Sequence, residues 1–515
     1  MSTAIAAVGG DAETSAANGT YVPTMALWFL RSAAIYLLLV KLAFSLLVPP
    51  NADEAYYWIW GQHLQWSYLD HAPLVGWGSW LGNQVLGWGI PAMRFTPLLS
   101  FAGIIWMIWV WAKRLAPAHA EHYFWACLAI WLASPLMNAL TSLVYPDQIL
   151  IFLSTVSLFF FSLFLADWRA GKRDRYRDLY LGALFLGLAG LGKYNAVFIA
   201  AGLVAVILIN RRMWPLLRSP HLWAAGALTL LIVSPIIWWN AYHDFPTLKL
   251  HAIQRFENRG GSFRLSGIVR VLQQSALYLS PLLLWGLARF LLVRRLGGLA
   301  AQLQGLGRGT FVFSTGFMLS LAAWGAAASQ VAPHWNDLAF VPFMLAAPLF
   351  VRSRWLIGIH VMFGALVATI ATVYYVSAPV LTDALGIGDG EARYTYGQDQ
   401  VATAARQAKA DRGADFYAIV RYTTASKFAF GLGTDKDIVT LTEQIDQFDF
   451  WRNPDDYAGK TAIVVLDRGT SEDAFARYFE SYELIGPVHA TRYGHPLFTY
   501  NLYLARGYKP SQRRP

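Results

Sequence analysis

The sequence predicts a polytopic α-helical membrane protein with a small C-terminal α/β domain, and three observations carry that prediction. Of 515 residues, 56% are hydrophobic and only 14% charged, against about 25% charged in ordinary soluble domains. Apolar runs of bilayer-spanning length recur from Met25 to about residue 378. Residues 379–515 then change to a mixed, charged composition without long apolar runs. Aromatic residues reach 15%, with 22 Trp, rings that favour membrane interfaces.

Residues 1–24 are small and polar, have no basic stretch, and are read as a disordered cytoplasmic tail. The run Met25–Leu47 is longer than a signal-peptide core and serves as an uncleaved first span. Further segments fall at about 92–112, 122–142, 147–167, 178–192, 194–210, 221–240, 267–293, 308–330, 336–351 and 355–378, giving eleven. Together with the external loop 48–91 they form a transmembrane domain over 25–378. Lys113/Arg114, Arg169–Arg177, Arg211/Arg212/Arg218, Arg294/Arg295 and Arg352/Arg354 follow alternate segments, as cytoplasmic loops should. That alternation expects residues 379–515 to lie outside.

The net charge is +10, with 25 basic and 13 acidic residues before position 381 and 16 against 18 after it. The excess therefore belongs to the spanning part, where it orients loops, and nucleic acid is excluded as a partner. Cys127 is the single cysteine, so there is no disulfide framework. In the tail, Phe416–Val420, Ile438–Leu441, Ala462–Leu466, Tyr482–Val488 and Phe498–Leu504 read as strands, with a helix around Ser471–Phe479.

With this orientation Asp53, Glu54, Asp70, Asp147, Asp244, Glu257 and Asp337 all fall on the outer side. Pro49 and Pro50 end the first span, and Asn51 is placed to cap a helix from Ala52 onward. The aromatic run Tyr56–Trp66 suits a helix lying flat in the interface. Asp53 and Glu54 in its first turn either favour the helix N-terminus or provide a general base at a sugar site. Asp70–His71 fits turn chemistry or the binding of acceptor hydroxyls equally well. Asp147, after Tyr145–Pro146, sits where a carboxylate is costly unless paired or functional. Lys193, in a short external turn, is either a snorkelling anchor or a point charge for a phosphate. On the latter reading Lys193→Met reduces turnover and leaves stability unchanged. The loop 241–266 is basic against the orientation rule, and its arginines suit an anionic ligand or anionic lipid. There is no Walker-type loop, dinucleotide glycine pattern or His-Glu-x-x-His helix. Cytoplasmic loops are too short for a nucleotide-sugar domain, so any sugar donor must be membrane-borne.

The stretches Asp53-Glu54-Ala55-Tyr56-Tyr57-Trp58 and Trp66-Ser67-Tyr68-Leu69-Asp70-His71-Ala72-Pro73-Leu74 resemble the first external loop of GT-C glycosyltransferases. The bacterial family 39/83 enzymes are most similar, the ArnT-like and Rgt-type group related to protein O-mannosyltransferases. Tyr145-Pro146-Asp147, Gly192-Lys193-Tyr194, Ser234-Pro235 with Trp239-Asn240, and Pro333-His334-Trp335 match later landmarks in order. The resemblance implies an inverting enzyme of the bacterial inner membrane, acting at its periplasmic face. Its donor would be a polyprenyl-phosphate sugar, and its acceptor an envelope lipid, glycan or protein such as lipid A. The carboxylate matching Asp53 is the base in that family, the lysine matching Lys193 meets the donor phosphate, and the Asp matching Asp147 lines the same cavity. Ala72 and Asn336-Asp337 depart from the family pattern, which bears on acceptor identity.

Asp53 and Glu54 are thus the expected catalytic pair, Glu54 orienting the acceptor or Asp53 itself. Asp70, His71, Asp147, Lys193, Tyr194, Arg255, Arg259 and His334 are the expected substrate contacts. A divalent ion can be accommodated near the acids, but no ligand spacing demands one. A flippase for lipid-linked sugars and a non-catalytic envelope assembly protein are the rival readings. The first would place its ionisable groups near the midplane and show repeats; the second would not need Asp53, Asp147 and Lys193 at one face.

Overall fold

The computed structural model describes residues 21–250, 263–293, 296–323, 331–388, 390–442, 445–467 and 469–510. These fall into two compact units. One lies within Met1–Leu42, Pro97–Trp239 and Leu248–Thr369, the other within Ala43–Thr96, Asn240–Thr247 and Ile370–Pro515.

The first unit is helical. Among the described residues of the whole chain, five helices are long and apolar enough to cross a membrane: Leu27–Leu47, Ile90–Leu115, Pro146–Arg169, Pro220–Tyr242 and Arg354–Ser377. Counting each of two bent pairs as one span gives seven. Only 11% of the apolar window of Pro220–Tyr242 and 22% of that of Arg354–Ser377 are buried, against 72% for Pro146–Arg169. Apolar helices left this open need a hydrocarbon solvent, whereas Pro146–Arg169 is a core element. Ala120–Ala133, Arg177–Gly192 and Asp337–Phe350 coincide with other expected segments, but at 14, 16 and 14 residues they are shorter than a typical span. The expected span 267–293 is broken: Leu265–Leu279 and Pro281–Leu292 meet at 91°. Ser280 adopts a φ of 103° ahead of Pro281, which cannot continue the helical hydrogen bonds. Val197–Ile209 and Gly298–Ala323 approach at glycine: a Cβ on Gly309 would lie 2.6 Å from Gly202 Cα. Small residues permit such backbone contact where no water drives helices together.

The second unit holds a five-stranded mixed sheet in the order β2-β1-β3-β5-β4, with β1 Phe416–Ile419, β2 Ile438–Thr440, β3 Ala462–Leu466, β4 Ser481–Arg492 and β5 His495–Arg506. β1 runs parallel to β2 and β3, and β5 is antiparallel to β3 and β4. β1 and β3 are buried along their whole length, as their unbroken apolar runs require of central strands. Tyr493 and Gly494 close the β4–β5 hairpin with φ of 52° and 79°, the left-handed pair a tight turn needs. All five expected strands form. The helix expected around Ser471–Phe479 is the single turn Asp473–Ala476, whose Phe475 enters the sheet core with Phe416, Val464 and Tyr503.

The same unit takes in residues 48–91. Asn51 caps the helix Ala52–Trp60: its side chain accepts from the Glu54 N–H at 3.0 Å, and Glu54 reaches back toward the Asn51 N–H. The helix stops at Trp60, and Glu54–Trp60 are all buried, so its aromatic side chains pack on protein. Tyr56 packs on Tyr422 at 4.7 Å between ring centres, and Trp58 meets Trp88 and Phe430. Its aromatic faces are thus covered by the helix Tyr422–Leu432 of the C-terminal segment and by Trp88.

Candidate active site

The capping box separates two adjacent carboxylates. Glu54 is 1% exposed, and its second role is an ion pair at 2.8 Å with Arg94, itself fully buried and donating to the Ser45 carbonyl. A buried charge is tolerable only when paired in this way. Asp53, one residue earlier, faces solvent and makes no hydrogen bond or ion pair with the described residues. Desolvation by the surrounding protein and then the Glu54 charge hold its carboxyl above the ordinary Asp value. A raised, open carboxylate fixed on a capped helix can take a proton from a bound hydroxyl.

Asp70 belongs to the same unit. Its Oδ2 accepts from Tyr56 Oη at 2.9 Å, and that phenol oxygen accepts the Gln447 N–H at 3.1 Å. Gln447 Oε1 in turn accepts the Leu69 N–H at 2.7 Å. His71 lies edge-on to Tyr57. Asp70 is therefore tied into the aromatic helix and the C-terminal segment, not held in an isolated turn.

The first unit holds a different cluster. Pro146 opens the helix that carries Asp147, and Lys193 follows the last residue of the Arg177–Gly192 helix. Their side chains meet at 2.6 Å, with Asp147 2% and Lys193 4% exposed. Lys193 is thus a buried partner and does not snorkel. Burial opposes its charge, but the Asp147 and Asp337 carboxylates outweigh that and hold its ammonium above the ordinary value. Asp337 is fully buried: one oxygen accepts the Leu338 N–H at 2.7 Å, and the other has no hydrogen-bond partner among the described residues. His334 stacks on Tyr145, and burial pushes its imidazole down to about 4, so it is neutral at pH 7. Tyr194 is half-buried, and the next residue, Asn195, donates to the Trp335 carbonyl at 2.6 Å, fastening the Lys193 turn to the His334 turn.

Arg255, Arg259 and Glu257 lie outside the described residues. No group of three or more His, Cys, Asp or Glu among the described residues is placed to hold a metal ion. Sequence reasoning missed Arg94 as the partner of Glu54. The signal was present: a lone arginine in an apolar span demands a named counter-ion.

Comparison with known proteins places these features. Residues 70–239 match the dolichyl-phosphate-mannose-protein mannosyltransferase family model. Two structures of ArnT from Cupriavidus metallidurans share the fold: the apo state with a TM-score of 0.60 at 15% identity, and the undecaprenyl phosphate-bound state with 0.62 at 16%. Each alignment covers 92% of this chain and 97% of the other. Lipid A galacturonosyltransferase RgtD of Rhizobium johnstonii is 26% identical over 204 residues. The chain therefore shares the fold of the ArnT structures and, over residues 70–239, the sequence pattern of the mannosyltransferase family model. With five helices long and apolar enough to cross a bilayer among the described residues, and this fold, it is a multi-pass membrane protein. The match to RgtD spans 38% of this chain and 40% of that relative's length.

Proposed function

We propose that this protein is an inverting glycosyltransferase. It moves a sugar from a polyprenyl-phosphate donor to a hydroxyl of an envelope acceptor at the periplasmic face of the bacterial inner membrane. The observation that carries this reading is the contrast at Asp53 and Glu54: one carboxylate is spent on structure, and its neighbour is left open with a raised proton affinity. The membrane-borne donor is supported by the undecaprenyl phosphate in the similar ArnT structure.

In the reaction the acceptor hydroxyl oxygen attacks the anomeric carbon as its proton passes to Asp53. The bond from that carbon to the phosphate oxygen breaks, and the polyprenyl phosphate leaves with the electron pair. One displacement inverts the centre, and Asp53 returns its proton to solvent. Lys193 spends one of three N–H donors on Asp147 and can offer another to the departing phosphate. His334, being neutral, can hydrogen-bond the sugar without repelling a cation.

Mass spectrometry of envelope lipids and glycans from cells with and without the gene tests the reading. One sugar should be missing from one acceptor in the deletion, and identical profiles would refute it. A phosphatase fused after Pro515 should be active, as a periplasmic tail requires; an inactive fusion beside a fluorescent cytoplasmic reporter would overturn that orientation.

A further inference from the structure

The far end of the helix Asp337–Phe350 gathers four arginines outside the candidate site. That helix spans about 20 Å, so its end is a separate place from the Asp147–Lys193 cluster. There Arg289 donates to the Phe350 carbonyl at 3.2 Å and Arg352 to the Leu349 carbonyl at 3.1 Å. Arg308 donates to the Phe290 carbonyl at 3.3 Å and to the Val293 carbonyl. All three are half-buried. Gly286 lets the helix Leu284–Leu292 press on this end, since a Cβ there would lie 2.4 Å from the Val351 side chain. Arg354 is exposed and lies over the Trp355 ring at 5.5 Å. Guanidinium groups from three stretches of chain thus meet around two helix ends.

Two ordinary reasons for such charges fall short. Last-turn carbonyls need donors, but the uncharged Gln304 amide already reaches Phe290 and Val293 at 2.6 and 2.8 Å. Positive loops orient a membrane chain, yet that requires only charge beside a span, not guanidinium groups folded half-buried around one place. Burial and then the Arg289 charge hold the Arg352 guanidinium below its ordinary proton affinity. Arginine is too strong a base to escape by losing its proton, so like charges gathered this closely favour an anion. Each helix end carries about half a negative charge, which offsets a minor part of the positive charge. The local sequence adds little: between Asn258 and Thr382 its single acid is Asp337, at the other end of its helix.

The surroundings narrow the class of anion. Leu292 is 75% exposed and Trp355 70%, so apolar surface flanks the arginines. A soluble phosphate leaves that surface uncovered, whereas a lipid with a charged headgroup matches both features. Basic pockets between apolar helices suit such headgroups, and the guanidinium fork fits phosphate oxygens. We propose that Arg289, Arg308, Arg352 and Arg354 bind the phosphodiester headgroup of an anionic phospholipid, with its acyl chains along Leu292 and Trp355. The lipid fastens Leu284–Leu292 to the end of Asp337–Phe350. The site stands whether or not the transfer reading holds.

Native mass spectrometry of the delipidated full-length protein tests it, by titration with phosphatidylglycerol, phosphatidylcholine or inorganic phosphate. Phosphatidylglycerol should bind at least ~10-fold more tightly than either of the others. Arg289→Gln/Arg352→Gln should bring that preference down to about 2-fold or less. Should this variant fail to fold, Arg354→Gln decides, because an exposed side chain can be changed without disturbing the helix ends; it should lose about 3–5-fold. Lys172→Gln/Arg175→Gln removes as much positive charge beside Asp167 and should bind as wild type. Wild-type preference in folded Arg289→Gln/Arg352→Gln, or in Arg354→Gln, would overturn the site. An equal loss in Lys172→Gln/Arg175→Gln would overturn it too, since diffuse surface charge would then explain the preference. Inorganic phosphate binding as tightly as phosphatidylglycerol would overturn the lipid assignment.

Discussion

The Asp53–Glu54 pair and the Asp147–Lys193–Asp337 cluster both hold carboxylates at or near the first turn of a helix, yet physical constraint divides them differently. In the first, one acid is locked by a cap and an arginine while the other faces solvent without a partner. In the second, both acids and the lysine are buried. The contrast teaches that adjacency in sequence does not imply a shared role. A carboxylate whose partners are already supplied contributes to structure, and one left open under raised proton affinity is available for chemistry. Substitutions should therefore separate into those that lose activity and those that lose the fold.

The largest effect is expected at Asp53. Asp53→Asn should purify normally and lose at least ~100-fold in turnover, the loss typical for removal of a general base. Near-normal turnover by the purified mutant would take Asp53 out of the mechanism. Next is Lys193→Met, which strands two buried carboxylates. It should lower stability by roughly 3–5 kcal/mol in denaturant or thermal melts. This reverses the expectation drawn from sequence, where a lysine that only meets the donor phosphate could be replaced without loss of stability. Adding Asp147→Asn should recover most of the stability but not the activity, and an unshifted melt of the single mutant would contradict the pairing. Arg94→Met should destabilise less, toward about 3 kcal/mol, because Glu54 keeps its place in the capping box. Rescue by Glu54→Gln in the same chain would mark Glu54 as structural; failure of that rescue would return it to the list of catalytic groups.

The smallest effect is a pH shift. The proton affinity of folded Asp53 is raised above its ordinary 3.8, partly by Glu54. The acid limb of kcat/KM should therefore lie above the usual Asp range and move down in the Glu54→Gln/Arg94→Met double mutant. The sign for stability is opposite to that of a paired Asp. Because the folded state binds this proton more tightly than the unfolded chain, ionisation destabilises the protein as pH rises from 3.8 through the raised value. Asp53→Asn should accordingly be neutral or slightly stabilising at pH 7, and a limb at the ordinary value would show that the site does not perturb Asp53.

Much of this was legible in the sequence because it follows from local rules. Asn51 announced its helix through capping chemistry, the five strands through apolar runs of the right length, and Asp147 through its position after a proline at an apolar boundary. What escaped depends on contacts distant in the chain. Nothing near residue 54 names Arg94, and nothing near Tyr56 names Gln447. The aromatic run after Asp53 suits a membrane interface by composition, yet rings bury as well against a protein. Composition cannot tell the two apart. The bend at Ser280 was hidden because an apolar run keeps its hydropathy whether or not it is broken.

The hydrogen bond from the Gln447 N–H to Tyr56 Oη joins residues 391 positions apart. A chain emerging N-terminus first therefore completes the Asp53 helix long before the segment that covers it exists. Until Tyr422, Phe430 and Gln447 arrive, Tyr56 lacks its partners and Trp58 has only Trp88, so the aromatic face that rigidifies the helix stays open. Assembly of the unit is thus coupled to completion of the polypeptide. A nascent or truncated chain that carries every transmembrane segment and Asp53 itself still has no fixed platform for that carboxylate.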